Sequence, residues 1–176
     1  MDEGFRFGNK LSKKHIEYKR LKMNVSIAAQ TLSSSVADAL EFLMQAKEPE
    51  FIEAAGIIRF IRYIDKLFNL LNSRNLNAKG FKKHLKSIDR AIWMNTIAEC
   101  TIYLSRLKTV EATPILKHRR KTFALGLIMT AVGVRDLANH LLYRPVDPFS
   151  FILTYKLSQD ALELLFAYIR GNNWLQ

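Results

Sequence analysis

Apolar side chains at Val25, Ala28, Ala29, Leu32, Val36, Leu40 and Leu43 keep to one face of a helix with 3.6 residues per turn. The same period returns along most of the chain, and it restricts the fold more than any other feature. It predicts a first long helix with Asn24 as its N-cap. A second spans about 53–72, with Ile57, Ile58, Ile61, Ile64, Phe68 and Leu71 on its apolar face, and the loop NSRNLNAKG follows it. A third covers about 87–107 through Ile88, Ile92, Ile97 and Ile102. A fourth follows the basic HRRK run and reaches about Tyr143, where Arg144-Pro145 forces a break. A shorter helix opened by Ser12 precedes these. FSFILTYK, behind an Asp147-Pro148 pair suited to an N-cap and first turn, and SQDALELLFAYIR come after them. FILTY has strand propensity, but no alternating pattern runs for more than a few residues. The expectation is an all-α chain of six or seven helices, divided at the RPVDP turn.

Composition narrows the partners. The 176 residues are 49% hydrophobic, enough for one domain with a core and an appendage. Lys and Arg number 27 against 16 acidic residues, so the formal charge is +11 and the pI is near 9.9. Nucleic acid, nucleotide and anionic membrane surfaces are the partners such a charge favours. The basic residues cluster at Lys10, Lys13, Lys14, Lys19, Arg20 and Lys22, then at Lys79, Lys82, Lys83, Lys86 and Arg90, then at Lys117, Arg119, Arg120 and Lys121. The single cysteine, Cys100, excludes an internal disulfide, suits a core thiol and reads as intracellular. The four histidines are scattered and no CxxC occurs, so no local zinc cage is expected. The longest uncharged apolar run, TFALGLIMTAVGV, is shorter than the roughly 20 residues a bilayer demands. It is expected to be the central helix of a core, with no membrane partner.

Common catalytic motifs are missing. There is no GxxxxGK[ST] loop, no GxGxxG and no GxSxG, and Ser33, Ser34 and Ser35 are expected inside a helix as packing residues. Two carboxylates, Asp160 and Glu163, stand three residues apart in KLSQDALELLF, on one side of an expected helix.

Several segments together resemble the P element transposases and their domesticated THAP-type relatives: NKLSKKHI, KMNVSIAAQTLSSSVADAL, FIRYIDKLFNLLNSRN with KGFKKHL, RRKTFALGLI, and LTYKLSQDALELLFAYIRG. The resemblance covers nearly the whole chain in order and approximate spacing. It implies a ribonuclease-H-like core whose Asp, Asp and Glu hold divalent metal, interrupted by an all-helical insertion that binds GTP. On that scheme residues 9–145 are the insertion, and residues 146–176 return to the catalytic core.

Carried over position by position, the resemblance makes Glu163 the third metal-binding acid. Asp160 faces the guanine nucleotide, Phe68 stacks on its base, and Asp65 and Asn69 meet the base edge. Lys10 lies near the phosphates and Val25 lines the pocket. The relatives commonly carry Asp where this chain has Asn69, and Phe68 beside Leu67 and Leu71 also suits a core position. The implied cofactor is GTP with Mg, and Mg joins the catalytic site only if the other two acids are supplied. The implied partners are guanine nucleotide, DNA in a full transposase and a second copy in a homo-oligomer, and the implied location is the nucleus. With the first two acids and the zinc-binding DNA module absent, the chain alone is expected not to cleave DNA. Two readings follow: a GTP-binding module using nucleotide as an unhydrolysed cofactor, or an architectural interaction module that has lost it.

Overall fold

The computed structural model describes residues 11–21, 24–159 and 165–169. Among these, six α-helices of defined bounds and a helical stretch at 165–169 are interspersed with short 3₁₀ turns, and only isolated bridges take the place of strands. The helices are α1 (Lys13–Ile16), α2 (Val25–Thr31), α3 (Ser34–Gln45), α4 (Ala55–Leu71), α5 (Arg90–Ser105) and α6 (Thr122–Leu142). The protein is all-α. It divides into two compact units, Met1–Phe68 and Asn69–Gln176, with the division falling inside α4.

In the first unit the long helix expected across 25–43 is two helices. Asn24 caps the first as anticipated, its side-chain oxygen accepting from the Ile27 amide at 3.2 Å. The chain then leaves helical geometry at Ser33, whose backbone is extended and which stands as the N-cap position of α3. The Ser33 hydroxyl donates to the Gln30 carbonyl at 2.8 Å, closing the end of α2. Hydroxyl side chains compete for backbone groups and so favour helix ends over helix interiors. The apolar stripe therefore kept its period while the serine run broke the backbone beneath it. α1 is anchored by His15, which accepts from the Ser12 amide at 2.9 Å through Nδ1 and lies 3.1 Å from the Gln30 side-chain oxygen through Nε2.

The core of this unit joins Val36 and Ala37 of α3 to Ile58 and Ile61 of α4, with Leu32, Leu40, Met44 and Ala54 packed around them. Arg62 of α4 reaches both acids of the facing α3 turn, Asp38 at 3.1 Å and Glu41. Ile57, placed on the apolar face by sequence, is more than half exposed; Ile58, Ile61, Ile64 and Leu67 form the buried stripe. Phe68 is only half-buried.

The second unit is built on the pairing of α5 with α6. Ala124, Ala131 and Ala138, spaced by seven, are fully buried and let the α6 backbone come close to its neighbour. The opposite side of α6 leaves Phe123, Leu125, Met129 and Leu137 exposed, so it is a one-faced helix and not the centre of a core. On α5 the buried residues are Trp93, Thr96, Ile97, Cys100 and Leu104. Of the isoleucines expected there, Ile97 alone is buried, while Ile88, Ile92 and Ile102 face solvent. The isoleucine spacing and the buried stripe differ in phase because Trp93 and Cys100, with Ile97 between them, carry the buried face. Tyr143 donates to the Ser87 carbonyl at 2.9 Å, and Arg90 donates to Asn139 at 3.0 Å.

Past α6 the chain turns at Arg144-Pro145, as expected, with Asp147 in the left-handed region. No helix starts at Pro148. The segment instead crosses to the loop after α4, pairing Ile152 with Leu85 through amide bonds of 2.9 and 3.0 Å before a 3₁₀ turn at Thr154–Leu157. Thr154 fixes this crossing: its buried hydroxyl donates to the Leu70 carbonyl at 2.6 Å and accepts from the Ser73 amide at 2.9 Å. Both partners sit at the exposed-carbonyl end of α4, where a helix leaves its last groups without partners of its own.

Thr154→Val keeps the shape and removes both bonds. It should destabilise the chain by about 1–3 kcal/mol in urea denaturation. Ser73→Ala should be close to neutral, because the Ser73 hydroxyl is buried with no hydrogen-bond partner.

Candidate functional site

Three residues assigned to one site from distant sequence positions meet in the first unit. Val25, Ala28, Ala29 and Leu32 of α2 form one wall of a small cleft, and Ile64, Asp65 and Phe68 of α4 form the other. The break at Ser33 makes this possible, since it ends α2 as a separate helix whose small alanines face α4. Val25, at the first turn of α2, is 64% exposed and stands at the rim. Phe68 offers a half-buried aromatic ring, and Asp65 lies one turn before it on α4.

Asp65 is held in place. The Ser34 hydroxyl, at the start of α3, donates to its Oδ2. This bond uses one carboxylate oxygen, sets the side-chain rotamer and keeps an acceptor-only group beside the aromatic ring. Ser34 was missed by sequence reasoning, which treated the serine run as packing; the signal was a helix-breaking run one helix away from a polar residue on α4.

The cleft measures about 90 Å³, below the roughly 300 Å³ at which drug-sized pockets begin. It suits the edge of a planar base laid against Phe68 better than an enclosed nucleotide. A carboxylate beside an aromatic face fits guanine in kind, because N1–H and N2–H₂ both donate and need an acceptor. Asn69 follows Phe68 on α4, half-buried and one turn beyond Asp65. Lys10, Asp160 and Glu163 lie outside the described residues. Among the described residues, no three His, Cys, Asp or Glu side chains gather to hold a metal ion.

A second cleft of about 320 Å³ in the same unit is lined by Glu41, Met44, Ile58, Arg59, Arg62 and Tyr63 among others. Its central guanidinium, Arg62, is committed to Asp38 and Glu41.

The second unit holds a separate polar feature. His84 is 5% exposed, packs edge-on against Phe151 with ring centres 5.5 Å apart, and makes no hydrogen bond of standard length and angle at either ring nitrogen, with the Leu76 backbone beside it. Burial pushes its pKa below the ordinary value of 6.5, and the neighbouring Lys86 and Lys83 push the same way, against Asp89 and the Leu76 backbone. Lys83 is paired with Asp89 at 2.7 Å.

Residues 1–84 match the family model described as TNP-like, GTP-binding insertion domain. Over 148 residues the chain is 34% identical to the human DNA transposase THAP9, a match that takes in 84% of this chain and 16% of that protein. The chain belongs to the P-element-like transposase family. It spans about a sixth of the length of that curated relative. The fold of this P-element-like chain is also that of the Drosophila P element transposase strand transfer complex, with a TM-score of 0.73 at 18% identity over 96% of this chain and 36% of the other. Val25, Asp65 and Phe68 all fall inside the matched insertion-domain region.

The buried His84 gives this P-element-like chain an acid sensitivity of definite sign. Its folded pKa lies below 6.5, so on acidification the unfolded chain takes up the proton first. Stability is untouched above about pH 6.5 and falls as pH descends from there towards the folded value. Urea midpoints measured between about pH 7 and pH 5.5 should drop for the native chain and drop less for His84→Leu.

Proposed function

We propose that this chain binds a guanine nucleotide in the cleft between α2 and α4, as an unhydrolysed cofactor that serves DNA transposition in a full transposase. The observation that carries this reading is the convergence of Val25, Asp65 and Phe68 on one cleft. Phe68 stacks on the base, Asp65, oriented by Ser34, accepts from its edge, and Asn69 adds an amide on the same helix. Lys10 on the phosphates and Asp160 facing the nucleotide complete the assignment.

The wider assignment has residues 9–145 as the insertion and residues 146–176 as the return to a ribonuclease-H-like core, with Glu163 as one of three metal-binding acids. Mg accompanies the nucleotide, and DNA, a second copy of the chain and a nuclear location belong to the full transposase. The architectural reading, in which the helical fold is kept and nucleotide lost, draws on Asn69 and on the small volume of the cleft.

Calorimetric titration with GTP, with ATP as control, separates the two. Guanine-selective binding in the micromolar range, about −8 kcal/mol, is expected for the native chain. Phe68→Ala and Asp65→Asn should each weaken it at least about tenfold, equal to about 1.4 kcal/mol, while Ser34→Ala should weaken it less. Absence of GTP binding, or equal binding of ATP, would leave the architectural reading.

A further inference from the structure

A cavity beside His84 in the second unit, which the nucleotide reading does not use, combines apolar walls with a buried imidazole. It measures about 290 Å³ and is lined by Leu70, Phe81, His84, Leu85, Ile92 and Trp93, with Gly80, Lys83 and Asp89 also present. Its size places it at the lower end of ligand-sized pockets, enough for one ring system.

Its walls are mostly aromatic and apolar, and of its polar residues Lys83 and Asp89 pair with each other, which leaves the His84 imidazole. Trp93 spends its indole N–H on the Lys86 carbonyl at 3.0 Å, so towards the cavity it offers only ring surface. His84 is nine-tenths buried or more, and neither ring nitrogen has a hydrogen bond of standard length and angle, the Leu76 backbone lying beside it. A buried polar group left so costs roughly 1–3 kcal/mol, and a ligand with a donor or acceptor at its edge removes that cost. The imidazole is held in this attitude by Phe151 and by the Leu85–Ile152 pairing next to it.

The mouth is basic. Gly80, Phe81 and Ile92 are the exposed lining residues, and Gly80 has φ +60, in the left-handed region that favours glycine. Exposed Lys79 and Lys82 flank this turn in the sequence KGFKKHLK. Lys83 is neutralised by Asp89, which leaves the outer lysines as the charges a passing polyanion meets.

We propose that this cavity receives a single unstacked base of single-stranded DNA, stacked on the exposed ring of Phe81 above the buried Trp93 and hydrogen-bonded by His84, with the adjoining phosphates on Lys79 and Lys82. An apolar peptide side chain would fill the same walls but leave His84 unsatisfied and use none of the lysines. A duplex keeps its bases stacked and presents none of them to a cavity of this size. Aromatic platforms alternating with lysines are the general solution for single strands, because every base has a π face and every linkage a charge. The inference rests on the DNA reading above and lies in the other unit from the nucleotide cleft.

The test compares, by fluorescence anisotropy on the full chain, a labelled single-stranded oligodeoxynucleotide with the same strand carrying abasic sites. Charge is equal in the two, so their difference isolates the bases. The intact strand should bind about 5- to 150-fold more tightly, the range that corresponds to stacking one base. Phe81→Ala, a substitution at a partly exposed position, should bring the intact strand towards the abasic affinity and leave abasic binding unchanged. Lys82→Gln should weaken both strands by the same factor. Equal binding of the two strands to the native chain would overturn the cavity proposal while leaving the DNA reading in place, as would a Phe81→Ala loss shared equally by both. Failure of either strand to bind would overturn the proposal, because the cavity and its lysines lie on this chain.

Discussion

The hydrogen bond from Ser34 to Asp65 ties α3 to α4 at the candidate cleft of the first unit. It joins the first residue of α3 to the middle of α4, and it exists because the chain breaks helical geometry at Ser33. Without that break, α2 and α3 would continue as one rod, and no separate short helix would present alanines and Val25 to the Asp65–Phe68 side of α4. The bond then keeps the carboxylate beside the aromatic ring instead of free in solvent. In the nucleotide reading proposed above, a base edge rich in N–H groups would meet a fixed acceptor and a fixed platform, so little ordering would remain to be done on binding.

The fold was legible because its signal is redundant. Four long periodic segments survive small errors of phase, and the all-α result does not depend on any one of them. The errors fell where residue type and position conflict. At Ser33 the apolar period ran on through a residue whose hydroxyl prefers a helix end, so one helix was expected and two are present. On α5 three isoleucines drew attention from the stripe formed by Trp93, Thr96, Ile97, Cys100 and Leu104. Beyond α6, Asp147-Pro148 reads locally as a helix start, but tertiary bonds from Ile152 and Thr154 draw the chain into an extended crossing. Local sequence does not encode partners about 70 to 80 residues away.

The candidate site was legible only in part, and for a different reason. Phe68 and Asp65 look like ordinary members of an amphipathic helix, and Val25 like an ordinary first-turn residue. Family resemblance singled them out, and the backbone brings them to one cleft. Ser34 carried no resemblance of its own and became visible only through its bond. The cavity at His84 was hidden likewise, since a lone histidine in KGFKKHLK reads as one more surface residue until Phe151, 67 positions later, is seen to close over it.

Hydrogen–deuterium exchange of the chain with and without GTP tests the central claim most directly, because it reports where the nucleotide acts as well as whether it binds. The account predicts slowed exchange over residues 25–36 and 61–68, the two sides of the cleft and the Ser34 junction, and much less change on α5 and α6. Unchanged exchange across both segments at saturating GTP, or protection confined to the second unit, would contradict it.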